Sequence, residues 1–203
     1  LDTILKRSNI RVKCNAKNIN ITRNNNGIVS LRINGEEYLY DEIVIATTPG
    51  SVKDLLMDMS AQEIQIFNGW DDQNFKTLAH NDLGFYKKLK NIKKTPMDFF
   101  YQFHNSSIGY NTYQNTAYNM KTEEHYSFSH NLDNLISKES ILHTANHTVP
   151  KYSRKYDDKI KLLHEINGNN NTHYAGAYLG NGLHEGAVVS AMKISSKLDG
   201  LII

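Results

Sequence analysis

A glycine-rich segment, residues 174–191, contains residue types that could bind an electron-rich ligand. A short apolar stretch runs into a loop that contains Gly176, Gly180 and Gly182, and small residues follow Gly186. Glycine lets a ligand approach the backbone closely. A helix that starts in such a loop presents unpaired N–H groups with partial positive charge. The pattern therefore predicts an anion or cofactor site near the end of this sequence.

Two ionisable residues, His184 and Glu185, lie in this loop. A histidine can exchange protons near neutral pH, and a carboxylate can act as a base, so both are weak candidates for catalysis. Each also has a structural alternative. His184 could orient the loop, and Glu185 could interact favourably with the helix dipole in the first turn.

A second group of ionisable side chains, His143 and His147, is four residues apart. On a helix these two could share a metal ion, which leads to the hypothesis of a metal-dependent hydrolase. No Glu follows His143 as the zinc-protease motif requires, and Val149-Pro150 argues against a helix. We therefore predict no metal site. The lone Cys14 lies in an alternating pattern, which predicts a structural role within a strand.

The elements that position the glycine-rich loop are predicted from hydrophobic patterns. Residues 10–16 alternate, and a three-stranded meander follows, with Asn34-Gly35 as a hairpin turn. The apolar run 43–46 predicts a strand buried on both faces. Residues 51–54 resemble a capping box at the start of a helix.

The remaining segments are assigned in the same way. Residues 51–95 are predicted to be helical, and residues 97–150 form an antiparallel sheet in which Phe99, Tyr101 and Phe103 alternate. Such rings line an apolar pocket or pack in the sheet core. A helix is expected near Ile160 to Ile166, and a last one over 185–198. One side of this last helix is expected to carry Val188, Ala191, Met192, Ser195 and Leu198.

Two motifs together carry a resemblance to a known family. Tyr-Ala-Gly-Ala-Tyr with Gly-x-Gly-Leu-His-Glu, at 174–185, resembles the final FAD-contacting segment of the flavin amine oxidase superfamily, in its predicted NAD/FAD-binding oxidoreductase branch. An acidic residue, an apolar strand and Ala-Thr-Thr-Pro, at 42–49, resemble the place where that family's chain leaves its FAD-binding sheet.

The resemblance implies an α/β fold. Part of a Rossmann-like FAD-binding domain of the glutathione reductase type would carry an inserted antiparallel-sheet substrate domain. The implied boundaries are 1–56 for the first FAD-binding segment, 57–155 for the substrate domain and 156–203 for the second FAD-binding segment.

The resemblance also implies FAD as cofactor and a set of residues that contact it. These are Asn18, Ala46, Thr47, Thr48, Pro49, Gly176, Ala177, Leu183, His184, Glu185 and Gly186. Two of them depart from the family pattern. Asn18 stands where Val is usual, and Gly176-Ala177 lacks the usual carboxylate.

The implied activity is transfer of a hydride from a small, apolar organic substrate to flavin N5. Because no Gly-x-Gly-x-x-Gly motif occurs in the sequence, the alternative is a non-catalytic or incomplete lobe. Such a lobe would need a missing N-terminal half to bind FAD, or would associate with itself.

Composition limits the other function classes. The net charge of +2 gives no reason to expect a nucleic-acid partner. No apolar run approaches the roughly 20 residues of a membrane span, and the single cysteine is compatible with a reducing compartment. We therefore expect no transmembrane segment and a cytoplasmic location.

Overall fold

The computed structural model describes residues 10–24, 26–88, 94–102 and 106–198 of the 203-residue chain. The chain forms two compact units. Unit 1 combines the residues up to Asp72 with those from Pro150 onward, and unit 2 consists of Gln73–Val149. The structural boundaries thus lie at 72/73 and 149/150, whereas the sequence placed them at 56/57 and 155/156. Residues before the first boundary belong to unit 1 because Ile66, Phe67 and Trp70 pack in its core.

The described residues form ten strands. In chain order they are β1 (Asn20–Arg23), β2 (Val29–Ile33), β3 (Glu36–Tyr40), β4 (Ile43–Ile45), β5 (Asp72–His80), β6 (Asp98–Gln102), β7 (Ser107–Tyr113), β8 (Ser127–His130), β9 (Ile141–Pro150) and β10 (Thr172–Tyr174).

Six α-helices are assigned in the same part of the chain. They are α1 (Pro49–Leu55), α2 (Ala61–Phe67), α3 (Gly84–Lys88), α4 (Gln114–Ala117), α5 (Asp157–Ile166) and α6 (His184–Lys197). None of the described helices is both long enough and apolar enough to cross a membrane.

The predicted meander is confirmed as the antiparallel sheet β1-β2-β3. Its second turn has positive φ at both Asn34 (52°) and Gly35 (88°), as a tight hairpin with this dipeptide requires. The strand predicted at 10–16 is wrong, because these residues are irregular. Val12 is 60% exposed and Cys14 is exposed, so the alternation there does not mark a half-buried strand.

A parallel pair of strands, β4 and β10, forms the second sheet of unit 1. Ile45 is buried in the core, but its neighbour Val44 is 44% exposed. The prediction of a strand buried on both faces is therefore wrong for the face that carries Val44. Parallel strands are normally covered on both faces, so the exposure of the face that carries Val44 is unusual.

The outer edge of β10 is closed by the segment before it. Asn167 exchanges two hydrogen bonds with the backbone of Tyr174, at 2.9 and 3.0 Å. The N–H of Gly168 also donates to the carbonyl of Thr172 at 3.0 Å. A side chain and a turn therefore occupy the positions at which a neighbouring strand would pair.

The capping box expected at residues 51–54 is not formed. Helix α1 instead begins at Pro49, after Thr48, and has no side-chain cap. A capping box does occur at the start of α2, where the side chains of Ser60 and Glu63 each bond to the other's backbone N–H. The helical prediction for 51–95 is also wrong at 72–80. These residues form β5, because Leu78 and His80 alternate into the core of unit 2.

The last two helices are found close to where the sequence placed them. Gly168, with φ of 102°, follows α5. The buried side of α6 is not its apolar side, however. Ile194, Ser190 and Gly186 are the buried residues. Val188 and Met192 are 51% and 46% exposed, so the apolar stripe of α6 faces outward.

Unit 2 is built on the five-stranded sheet β6-β7-β8-β5-β9. The antiparallel prediction is confirmed for the pairs β6–β7, β7–β8 and β5–β8. One face packs on a core that contains Leu78, Tyr86, Phe100, Leu132 and Ile136. The alternate residues of β6 and β8, among them Phe99 and Phe128, are exposed on the opposite face.

A buried ion pair joins three separate segments of unit 1. Both terminal nitrogens of Arg23, on β1, donate to the carboxylate of Glu63, on α2, at 2.6 and 2.8 Å. The hydroxyl of Tyr174, on β10, donates to the same carboxylate at 2.7 Å. Burial alone would raise the pKa of Glu63, but the bonds from Arg23 and Tyr174 outweigh it and lower this pKa to about 2.

A lysine on α5 binds the carbonyl groups at the C-terminus of helix α2. The Nζ of Lys159 donates to the carbonyls of Gln65, Ile66 and Asn68, at 3.0, 2.9 and 2.5 Å. Cations interact favourably with the unpaired carbonyls at a helix C-terminus. This contact ties α5 to α2.

Replacing Glu63 with Gln should destabilise unit 1 by about 3–5 kcal/mol, because the guanidinium of Arg23 stays buried without its counter-charge. Asp133→Asn, which removes an exposed ion pair with Lys76, should cost less than about 1 kcal/mol. Denaturant unfolding of the three proteins measures both effects. Equal losses would contradict a special role for the buried pair.

The same ion pair predicts a dependence of stability on pH. The pKa of Glu63 is lower in the folded state than its ordinary value of 4.5, so its contribution is complete above that value. It is lost as the pH falls from about 4.5 towards 2. Acid unfolding followed by circular dichroism should show this loss in the native protein and not in Glu63→Gln.

Lys159→Met should destabilise the chain by about 1–3 kcal/mol, since three carbonyls lose their common donor. Lys161→Met is the matched control, because Lys161 lies on the same helix and only forms an exposed pair with Asp158. Thermal unfolding should separate the two variants. A Lys161 variant as unstable as the Lys159 variant would contradict this assignment.

Candidate functional site

The ends of two parallel strands lie side by side in unit 1. The N–H of Ala175, just after β10, donates to the carbonyl of Ile45, at the end of β4, at 3.1 Å. The exposed residues Ala46 and Thr47 follow β4, and the loop that starts at Gly176 follows β10. The carboxyl ends of parallel strands are the usual place for ligands in open α/β sheets.

The glycines of the loop are required mainly by the packing of the chain on itself. Gly176 has φ of 155°, and a Cβ there would lie 2.6 Å from the ring of Tyr178. A Cβ on Gly180 would lie 2.9 Å from the Cα of Gly186. The first turn of α6 therefore packs directly on the loop, which brings Gly176, Ala177 and Gly186 together.

The start of α6 is open. Leu183, His184 and Glu185 are exposed, and α6 has no side-chain cap at its N-terminus. Asn181 accepts a hydrogen bond from the N–H of Leu183 at 3.0 Å, which orders the loop. Among the described residues, none accepts a hydrogen bond from the backbone N–H of His184 or Glu185. These donors can therefore bind an electron-rich group.

The other expected FAD contacts lie in two places. Thr48 is half-buried next to Pro49, at the start of α1, and its hydroxyl bonds to that of Ser51 at 2.9 Å. Asn18 has a positive φ of 49°. Its neighbour Lys17 bonds to Asn34, so Asn18 lies at the hairpin turn between β2 and β3.

An aromatic cluster lies under the loop. Trp70 stacks on Tyr156 with ring centroids 4.7 Å apart, and its edge meets Tyr178 at 5.7 Å. The indole N–H of Trp70 and the hydroxyl of Tyr178 are buried without a partner among the described residues. Burial also raises the pKa of Tyr178, so its hydroxyl stays protonated. Both atoms are sealed in the core and cannot reach a ligand without rearrangement.

The donor set at the loop therefore decides whether the site fits FAD. Exposed backbone N–H groups at the start of a 14-residue helix suit the negatively polarised edge of a flavin ring. No carboxylate follows Gly176, because the next residue is Ala177. The loop residues fit the cofactor with one polar contact fewer than the family pattern has.

The histidines considered as metal ligands lie on a strand. His143 and His147 belong to β9, where residues four apart are separated by roughly 13 Å along the strand. They therefore cannot share one ion. In the parts of the chain that the structure describes, no three potential ligands come together in a metal-binding group.

Unit 2 carries a row of rings on the open face of its sheet, which we call the aromatic row. His130 lies between Phe75 and Tyr110, with centroids 4.6 and 4.3 Å away, and Phe99 follows at 5.8 Å from Tyr110. Burial lowers the pKa of His130, so this imidazole is neutral at pH 7. The expected residue Phe103 lies outside the described residues.

Comparison with solved structures shows which proteins share this fold. The first is a fatty acid isomerase from P. acnes, with a TM-score of 0.61, 15% identity and coverage of 93% of this chain and 48% of that one. A double mutant of putrescine oxidase has a TM-score of 0.56 and 7% identity, with coverage of 91% and 48%.

A third neighbour is the cyclohexylamine oxidase of Brevibacterium oxydans IH-35A. Its TM-score is 0.50 and its identity 9%, with coverage of 89% of this chain and 48% of that one. No family model matches the sequence, and no curated protein matches it.

These neighbours belong to one superfamily. The chain shares the fold of the flavin amine oxidase superfamily. It spans about half the length of the neighbours it matches. Helices combine with an antiparallel sheet, as the sequence predicted.

Two residues that shape the loop were missed by the sequence analysis. Ser190, on α6, accepts a hydrogen bond from the N–H of Gly176 at 3.0 Å, and Asn167 holds the edge of β10. A serine inside a small-residue helix gives a weak signal for such a contact, since its partner is fourteen residues away. No local pattern identifies Asn167.

Gly176→Ala should destabilise the chain more than Gly35→Ala. Both glycines have positive φ, but only the added methyl at Gly176 overlaps a ring, whereas nothing lies within 4 Å at Gly35. Backbone strain should cost about 1–2 kcal/mol at each site, with about 1–3 kcal/mol more at Gly176 from overpacking. Denaturant unfolding measures the difference, and equal losses would contradict the tight packing of the loop.

Proposed function

We propose that this chain is part of an FAD-dependent oxidoreductase of the amine oxidase kind. In this proposal unit 1 is part of a Rossmann-like FAD-binding domain, and unit 2 binds the substrate. One observation carries the proposal. The carboxyl ends of β4 and β10 lie side by side, and the loop that follows β10 leads into α6, a helix without a side-chain cap at its N-terminus. The shared fold supports it.

Four parts of unit 1 have roles in this proposal. Residues 46–49 and the backbone of Asn18 bind the adenosine part of FAD. Gly176 and Ala177 lie against its ribityl and phosphate part. The N–H groups of residues 183–186 face the pyrimidine edge and stabilise negative charge there.

When bound, FAD supplies an acceptor for a hydride from the substrate. The chain's own contribution is chiefly to hold the two reactants in position. His184 and Glu185 are exposed at the start of α6. Both side chains could hold or move a proton beside this loop.

The aromatic row supports a small, apolar substrate for unit 2. Phe99 is 67% exposed although it continues a row of packed rings, so this face offers apolar contact area that the described residues do not cover. Large exposed apolar surfaces commonly mark binding sites.

A second candidate function is a lobe that binds FAD only together with the rest of a longer flavoprotein or with another copy of this chain. The outward apolar stripe of α6 favours it, with Val188 and Met192 about half exposed. Val44 on β4 adds to the uncovered surface. The coverage of only half of each neighbour agrees with this second candidate.

Titration of FAD into the purified protein tests the first candidate. We expect a shifted and structured flavin absorption band between roughly 350 and 500 nm. Thr47→Glu should weaken FAD binding about tenfold or more, because a carboxylate near the expected phosphate and adenosine positions repels the cofactor.

Thr144→Glu is the matched control, since Thr144 is an exposed threonine on β9 of unit 2. It should leave FAD affinity unchanged. Equal weakening by the two variants would overturn the proposed position of FAD. No binding by the native chain, with binding restored when the remainder of a longer protein is added, would support the incomplete lobe.

A further inference from the structure

Five Asn-Gly dipeptides occur in the sequence, and they begin at Asn26, Asn34, Asn68, Asn167 and Asn181. In such a dipeptide the glycine nitrogen can attack the side-chain amide carbon of the asparagine. A bond forms between this nitrogen and Cγ, the amide C–N bond breaks, and ammonia leaves a cyclic imide. Water then opens the imide to aspartate or isoaspartate. The reaction requires that the attacking N–H and the asparagine side chain are both free to move.

Both groups are free at Asn68-Gly69, which connects α2 to Trp70. The two residues are exposed to water. Within the described residues, no group bonds to the side-chain amide of Asn68, and no acceptor takes the N–H of Gly69. Gly69 has φ of 68°, and nothing lies within 4 Å of a Cβ built on it. The space beside this glycine is therefore open when the backbone rotates to close the ring.

The two Asn-Gly pairs near the glycine-rich loop are held at both groups. The side chain of Asn167 bonds to the backbone of β10, and the N–H of Gly168 donates to a carbonyl of the same strand at 3.0 Å. The side chain of Asn181 accepts from the N–H of Leu183 at 3.0 Å. The N–H of Gly182 donates to a loop carbonyl, also at 3.0 Å. These bonds oppose the attack.

The two pairs in the turns of the meander are each held at one group. The N–H of Gly27 donates to the carbonyl of Asn24 at 3.3 Å. The side-chain oxygen of Asn34 accepts from the N–H of Lys17 at 3.1 Å. All four pairs other than Asn68-Gly69 must therefore break at least one hydrogen bond before they can react.

A charged group also contacts the peptide unit that would react. The Nζ of Lys159 donates to the carbonyl of Asn68 at 2.5 Å. This carbonyl and the N–H of Gly69 belong to the same peptide group, so the ammonium draws electron density away from the attacking nitrogen. A nearby positive charge favours loss of a proton, and the deprotonated nitrogen is the stronger nucleophile. Lys159 therefore promotes ring closure at this dipeptide.

The products would alter the chain next to the core of unit 1. Trp70 follows Gly69 directly, is 6% exposed and stacks on Tyr156. Isoaspartate lengthens the main chain by one carbon atom between α2 and this ring. Because protein interiors are closely packed, such a shift is poorly tolerated.

We propose that Asn68 is the residue at which the folded chain deamidates, and that Lys159 promotes the reaction. Each conversion releases one ammonia, consumes one water and leaves aspartate or isoaspartate at position 68. The site does not involve FAD, so it is tested separately from the proposed function.

Peptide mapping by mass spectrometry tests the proposal on the native chain, incubated at mildly alkaline pH in heavy-oxygen water. The added oxygen comes from this water, so conversion during the incubation is distinguished from earlier conversion. We expect Asn68 to convert about fivefold or more faster than each of the other four asparagines, which are the internal controls. The same incubation in urea should bring the five rates much closer together. Equal rates in the folded chain, or faster conversion at one of the other four, would overturn the proposal.

Two lysine variants test the role of the charge. Lys159→Met should slow conversion at Asn68 about threefold or more in the folded chain. Lys161→Met removes an exposed lysine from the same helix and should leave the rate unchanged. A loss of stability by itself would speed the reaction, so unchanged or faster conversion in Lys159→Met would overturn the role of Lys159.

The effect on the fold is measured with Asn68→Gln, whose longer side chain forms the cyclic imide much more slowly. The unfolding temperature of the native chain should fall during the incubation as Asn68 converts. That of Asn68→Gln should stay constant. Parallel losses in the two proteins would show that conversion at Asn68 does not affect the core.

Discussion

The buried pair of Arg23 and Glu63 is the interaction on which the geometry of unit 1 depends. It links β1, α2 and β10, three segments that lie far apart in the chain. Tyr174 is at the end of β10, so the pair fixes the point from which the glycine-rich loop starts. Transfer of two charges out of water costs free energy. That cost is offset here because each N–H group of the guanidinium has a hydrogen-bond acceptor. Asp58 and Thr172 accept the remaining N–H groups of Arg23.

Unit 2 uses neutral groups for the same purpose. A series of hydrogen bonds from His80 to Asp98 connects four strands and the helix α3, and its buried members bond to one another. Burial lowers the pKa of His80, which keeps this imidazole uncharged at pH 7. A shift of one residue between β7 and β8 would leave Asn111 and Ser129 unpaired in the interior. The network therefore specifies the strand register more than it adds stability.

Local signals explain what the sequence could predict. Asn34-Gly35 specifies a turn by its backbone preferences alone, and the spacing of Ile160, Leu163 and Ile166 specifies a helix face. The glycine-rich loop was recognisable because its residues are contiguous. The segment 72–80 was mistaken for helix because its strand alternation is weak before Leu78 and is stabilised by β8, more than forty residues later.

For the candidate site, too, local sequence signals predict only part of the structure. Its loop and helix start follow from local chemistry, but Ser190 and Asn167 contribute through contacts that only the folded chain creates. The spacing along α6 shows that one face of the helix is apolar, but it does not show what covers that face. In the structure the small residues face the loop instead, since only Gly186 lets the helix approach Gly180 so closely.

These contacts also determine where a further segment could join unit 1. The outer edge of β10 is occupied by Asn167 and Gly168, so a strand added there would have to replace three hydrogen bonds. The outer edge of β4 has no paired strand among the described residues, and Val44 beside it is exposed. The stripe of α6 offers a second uncovered apolar surface. Covering these two surfaces adds contacts without breaking any, so the energetics favour completion of the unit at β4 and α6 over extension of its sheet beyond β10.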